Sequence, residues 1–284
     1  MALLPSRPVS VRLLLSISAG NLLIGVAAAA LWRLSGDDRW IQLYFRGLGA
    51  AFLVGFSLVE FRLCVAALRG FSPGDYLRPA WILITIAAAC RLIGFVLSEL
   101  LGSPTAPSGP AAAYRQAGLA LGSFGALPML LLGLLIVRRA YRRHGLLARL
   151  RWIDMAAVVA MAVFSIREMY DGLRLSTAFG VLRVLSFTTE PVLTALLYVA
   201  LVIRRSTLPL AGGLVSRCWT SYCTAVFLTL LADLGMWAVT YSVLPQQASV
   251  AVWYVWLLAA TAFALGPAYQ VEAMRQVSAP TLQR

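Results

Sequence analysis

Eight apolar runs follow one another along the chain, each long enough to cross a bilayer. They lie near 11–34, 41–67, 79–101, 117–137, 152–173, 179–203, 217–243 and 248–271. A hydrocarbon core of ~30 Å takes roughly 20 helical residues. Backbone amides in lipid must pair within their own segment, so such runs are expected as helices. The expected fold is all-α: a polytopic membrane helical bundle of about eight transmembrane helices. Composition agrees, because 61% of the 284 residues are hydrophobic and only 12% are charged. A soluble domain of this length could not hide that much apolar surface. The first run has the small residues of a signal peptide in Ala27–Ala30. Asn21 breaks its apolar centre and it outruns a signal core of ~7–15 residues, so it is read as a membrane helix.

A net charge of +13 would suit a nucleic-acid binder, but the charges sit in short segments between the apolar runs. There they set orientation, and no nucleic-acid partner is expected. Arg7, Arg12, Arg69, Arg78, Arg204, Arg205, Arg217, Arg275 and Arg284 fall on one side, together with the six arginines of "RRAYRRHGLLARLR". Arg33, Arg39, Arg115 and Arg174 fall on the other. The positive-inside rule then places both termini in the cytoplasm and the protein in the cytoplasmic (inner) membrane of a bacterium. The basic stretch 138–151 reads as a cytoplasmic loop between two four-helix halves, 11–137 and 152–271. The stretch 102–116, "GSPTAPSGPAAAYRQ", reads as an outer loop rich in Pro, Gly and Ser. The chain ends soon after the last run, so any signal is expected to leave through a cytoplasmic partner.

Arg46 and Trp81 open the second and third runs, and Arg183 and Trp219 open the sixth and seventh at nearly the same spacing. Each pair brackets an acid, Glu60 or Glu190. This suggests two parallel four-helix repeats about an axis normal to the membrane.

Several chemistries are excluded. All 24 basic residues are arginine, so no lysine can carry a retinal Schiff base. The single histidine, His144, rules out bis-histidine haem and HExxH zinc sites. Cys64, Cys90, Cys218 and Cys223 form no CxxC pair and read as small packing residues. No metal or other cofactor is expected. Tyr170-Asp171 and Asp233 are loosely similar to the paired aspartates of intramembrane aspartyl proteases. However, Leu230-Leu231-Ala232-Asp233 lacks the glycines of that family's second motif, and Asp171 lies at a different depth. No catalytic residue is assigned.

What remains is charge inside the membrane. A charge at the bilayer centre costs at least ~2.5–3.5 kcal/mol and marks a functional site by default. Arg91 is central in the third run, Glu190 in the sixth, and Asp233 about a turn beyond the centre of the seventh. Arg167 and Glu168 lie in the outer half of the fifth, and Arg183 is intermediate. Arg46, Arg62, Glu99 and Asp154 lie near helix ends and are expected to snorkel. Helical spacing puts Arg91 and Ser98 on one stripe. It does the same for Arg183, Ser186, Glu190 and Thr194, and for Tyr222, Thr229, Asp233 and Thr240. These three faces are expected to converge, with Glu190 and Asp233 as partners of Arg91. Gly118, Gly122 and Ala126 form a small-residue stripe for close helix contact, within the bundle or between copies in a homo-oligomer. Trp253, Tyr254 and Trp256 read as an interfacial belt.

Three functions fit. The first is transport or binding of a small polar or anionic solute, with Arg91, Glu190, Asp233, Arg167, Glu168 and Arg183 as ligand-binding or proton-coupling residues. The second is a non-catalytic sensor or assembly subunit acting through its basic loop. The third is a quinone-binding anchor of a redox complex, a resemblance of shape to the quinol-oxidising membrane subunits of respiratory complexes.

Overall fold

The structure, a computed structural model, describes residues 9–102, 108–175, 181–210, 213–245 and 247–278. The described residues contain no strand, and their helices fall into eight long segments. We label them α1 (Val9–Ser35), α2 (Arg39–Arg69), α3 (Arg78–Leu101), α4 (Pro110–Arg143), α5 (Trp152–Leu175), α6 (Val181–Thr207), α7 (Leu214–Thr240) and α8 (Ala248–Ser278). Six of them, α1, α2, α3, α4, α7 and α8, are long and apolar enough to cross a membrane, which marks an integral membrane protein. α5 and α6 are as long; their described residues include Asp154, Arg167 and Glu168 on α5 and Glu190, Arg204 and Arg205 on α6.

Three boundaries differ most from the sequence expectation: α8 runs on to Ser278, and both ends of α4 extend. α4 begins at Pro110, inside the stretch read as an outer loop. Proline suits the first helical turn, and the alanines after it favour continuation. α4 also runs on through Arg138–Arg143, so the first half of the expected basic loop is helix. It ends where Gly145 takes φ +68°, a left-handed conformation that favours glycine. Leu146 N–H then donates to Tyr141 O (2.9 Å) and Gly145 N–H to Arg142 O (3.2 Å), satisfying the last carbonyls.

The helices close into a ring. α2 packs on α3, α3 on α4, α4 on α6, α6 on α7, α7 on α8, and α8 back on α2. α1 lies outside against α8 and α2, and α5 lies outside against α6. Asn21 belongs to this packing. It is buried, and Tyr44 of α2 donates to its carbonyl at 3.2 Å, while Ser18 and Thr261 join α1 to α8 at 2.9 Å.

The ring is filled unevenly. In the half nearest the arginine-rich ends, Trp81, Trp219, Tyr222 and Phe263 form a continuous buried column, with ring centroids 5.9–6.3 Å apart. Trp219 Nε1 donates to Tyr141 Oη at 3.0 Å, so that indole N–H is paired within the core. Asp154, expected to snorkel, is instead buried at this end. It accepts from Arg205 Nε (2.7 Å) and Nη2 (2.8 Å) and from the Arg151 amide (3.1 Å), clamping α5 to α6. The residue two positions into a helix still has neighbours, and here they are a guanidinium and a free amide rather than headgroups. Arg46 and Arg62 are exposed, as snorkelling requires.

The small-residue stripe does bring backbones together, though only at one point. A Cβ on Gly118 would stand 2.5 Å from Gly94 O and 2.7 Å from the Ser98 nitrogen, both backbone atoms of α3. A Cβ on Gly122 would meet nothing within 4 Å. Gly118→Ala should therefore force α3 and α4 apart and destabilise the fold by about 1–3 kcal/mol, the usual range for overpacking. Gly122→Ala should melt like the parent. Thermal melting in one detergent checks both, and equal melting of the two variants would refute the close contact.

Candidate functional site

One cavity of about 280 Å³ lies inside the ring. Its wall takes residues from all six ring helices: Leu53 of α2, Arg91 of α3, Gly122 of α4, Thr189 of α6, Asp233 of α7 and Trp256 of α8 are examples. On each helix these residues fall at the middle or in the half remote from the arginine-rich ends. The cavity and the aromatic column thus occupy opposite halves of the bundle. On α3 and α4 the lining includes π-helical turns, Val96–Leu101 and Leu121–Ala126. Such wide turns are frequent at functional sites, because they rotate the following side chains out of normal register.

Arg91 stands at the base of the cavity. Its Nη2 donates to Glu60 Oε1 at 3.2 Å, and its guanidinium lies over the Phe263 ring at 3.7 Å from the centroid. Glu60 is 1% exposed and Arg91 9% exposed. The partner of Arg91 is therefore Glu60, in place of the expected Glu190 or Asp233. Glu60 belongs to the buried stripe of α2 with Leu53, Phe56, Ser57, Cys64 and Ala67. That 3–4 periodicity was the available signal; in the sequence Glu60 enters only through the repeat pattern.

Arg91 and Asp233 do line the same cavity, with Ser98 and Thr229 from their stripes. Asp233 Oδ1 accepts from Trp256 Nε1 at 3.3 Å. The α6 stripe points elsewhere. Thr189 and Leu193 line the cavity, whereas Thr194 bonds Ser165 of α5 at 2.7 Å. Glu190, on the Thr194 face, is 5% exposed, and its Oε2 is buried with no hydrogen-bond partner among the described residues. It interacts as a like charge with Glu168 of α5 and with Asp233. The expected single cluster is thus two neighbouring groups: Arg91, Glu60 and Asp233 at the cavity, and Glu190 with Glu168 at the α5–α6 seam. Arg167 sits beside Glu168 on α5. The Arg183 side chain, with those of Ser186, Asp171 and Arg174, lies outside the described residues.

Trp253 and Trp256 also depart from expectation. Both line the cavity, perpendicular to each other with centroids 5.4 Å apart. Tyr254 packs on Tyr44 and Phe45. Consecutive aromatics near a helix end cannot all face lipid, since each residue turns by about 100°. The four cysteines are free, with Cys64, Cys218 and Cys223 buried. Among the described residues no three His, Cys, Asp or Glu side chains come together to hold a metal ion. Glu99, expected to snorkel, instead lines the cavity and accepts from Ser98 Oγ at 3.0 Å. Chemically, the site offers a mostly apolar chamber, an internally neutralised cation and two carboxylates, Asp233 held by an indole and Glu99 by a hydroxyl.

No protein-family model, curated protein or solved structure matches this chain.

The Arg91–Glu60 pair makes a clear energetic statement. Removing one partner of a buried pair costs about 3–5 kcal/mol, because the other charge stays behind, whereas removing both is often nearly neutral. Arg91→Met and Glu60→Met should each melt well below the parent, and the double variant should recover most of the loss. A double variant as unstable as the sum of the singles would show that the two side chains act independently.

Proposed function

We propose that the protein is an inner-membrane binding or transport protein for a small solute, and that the ring cavity is its binding site. The observation that carries this reading is the convergence of all six ring helices on one chamber holding Arg91 and Asp233. Helix interfaces in membranes normally close on small residues and dispersion contacts. A chamber walled by charge and tryptophan is costly to leave empty, and ionisable groups at such sites serve ligands and protons. The filled half of the ring supports transport in particular. With one half open and the other plugged, the fold has the asymmetry of one state of an alternating-access cycle. Glu190 and Asp233 are the acids proposed to take up protons during it.

In this reading all eight helices span, with both termini cytoplasmic. The described surface of α5 supports its placement in lipid. Met155, Val159, Val163 and Ile166 are each 43–66% exposed and recur every three or four residues, an apolar stripe suited to acyl chains. α6 lies in the ring between α4 and α7, with α5 against it. The internal duplication belongs to the same proposal, supported by the ring order, in which α2, α3, α4 and then α6, α7, α8 follow in sequence. Reporter fusions after Leu146 and within 176–180 should report opposite sides of the membrane. The same side for both would leave α5 out of the bilayer.

Native mass spectrometry of protein gently extracted from its own membranes tests the site. The parent should retain a small molecule, and Gly122→Trp, which fills the cavity from an open position, should lose it while melting normally. A second reading rests on Arg139, Arg142, Arg143, Arg149 and Arg151, which are all exposed at one end and suit an acidic partner or anionic lipid. A retained protein, absent after neutralising those arginines, with no retained small molecule, would favour that reading.

A further inference from the structure

We propose that the cavity selects a small amphipathic organic cation, an aromatic amine or quaternary ammonium, with Asp233 as its counter-charge and Trp253 and Trp256 as its aromatic wall. The inference rests on the cavity being a binding site and adds the sign and shape of its ligand.

The sign follows from which charges are already answered. Arg91 is the one cation among the described residues lining the chamber, and it is engaged twice, by Glu60 at 3.2 Å and by the face of Phe263 at 3.7 Å. An anion drawn to Arg91 would have to compete with Glu60, which is 1% exposed and would be left as a lone buried charge. The expectation of an anionic solute held by Arg91 therefore loses its physical basis. Asp233 is in the opposite situation. Its hydrogen bond comes from a neutral indole, and the acids Glu168 and Glu190 act on it as like charges. A carboxylate so placed, in a mostly apolar chamber, is stabilised by an incoming cation.

The shape follows from the walls. Trp253 and Trp256 present perpendicular rings, and the Trp256 ring is oriented by its bond to Asp233. An ammonium beside Asp233 can meet an indole face within ~6 Å, where cation–π attraction operates and is strongest for tryptophan. Leu53, Phe95 and Leu193 give much of the remaining wall an apolar surface that suits a hydrocarbon body, and Glu99 adds a second acid of the same sign as Asp233. The volume of about 280 Å³ lies at the lower edge of the ~300–1,000 Å³ typical of pockets for drug-sized ligands, so the ligand is small.

Three probes of nearly equal shape decide the matter: phenyltrimethylammonium, its neutral isostere tert-butylbenzene, and benzenesulfonate. Binding is measured by equilibrium dialysis to the full chain in phosphatidylcholine nanodiscs, with empty discs subtracting partition into lipid. Phenyltrimethylammonium should bind at least tenfold more tightly than either other probe. Asp233→Asn should lose at least tenfold of that affinity, and Asp233→Glu, which keeps the charge, should retain more of it than Asp233→Asn. Gly122→Trp should abolish binding of all three. Preference for benzenesulfonate or tert-butylbenzene, measured on the parent protein and so independent of any variant's folding, overturns the cationic assignment while leaving the cavity as a site. Equal affinity of Asp233→Asn and parent does the same. Binding of none of the probes above empty discs overturns both the assignment and the cavity reading.

Discussion

The arrangement depends on one buried ion pair. Arg91 and Glu60 sit at the level where the packed half of the ring gives way to the open half, and the guanidinium lies on Phe263. Three helices, α2, α3 and α8, are thereby joined by one side chain. In a low-dielectric interior neither charge can stand alone, so the rotation of α2 and α3 about their own axes is locked by electrostatics as much as by shape. Beneath the pair, Phe263 continues into Tyr222, Trp219 and Trp81. Above it, the same residues become the base of a chamber.

That division of the bundle sets the functional argument. The half toward the arginine-rich ends is filled by bulky aromatics, with the Trp219 indole N–H paired to Tyr141 within it. The other half is walled by glycine and alanine on α4 and by tryptophan on α8. Gly94 and Gly118 bring α3 and α4 into backbone contact at one level, while Gly122 and Ser123 leave room at the next. Small residues thus serve two opposite ends within a single turn of helix, close packing and open space. The wide turns in α3 and α4 adjoin this transition.

Much of the site was legible from the chain. Arg91 and Asp233 stand out because charge inside an apolar run must be answered, and both line the cavity. Glu190 stands out for the same reason, and its burial agrees, but its face meets α5 rather than the chamber. Glu60 stands out only as the acid between Arg46 and Trp81 in the repeat pattern, because nothing along the sequence shows which helix stands opposite it. Trp253 and Trp256 read as a lipid belt because aromatics near helix ends usually are one; only the neighbouring helices show that two of them turn inward. Asp154 illustrates the same limit, because its partner Arg205 lies on another helix.

By itself, the sequence determined the class of the molecule. Runs of about 20 apolar residues force helices, because lipid offers backbone amides no partner, and the clustered arginines mark one set of helix ends. It also determined which side chains had to find partners. The tertiary structure alone decided who those partners are. Pairing between helices depends on each helix's rotation, tilt and neighbour in the ring, and these are set by contacts among residues far apart in the chain. Local periodicity carries no record of them, so the closure of α8 on α2, the pairing of Arg91 with Glu60 and the enclosure of Asp233 emerge only when the ring is formed.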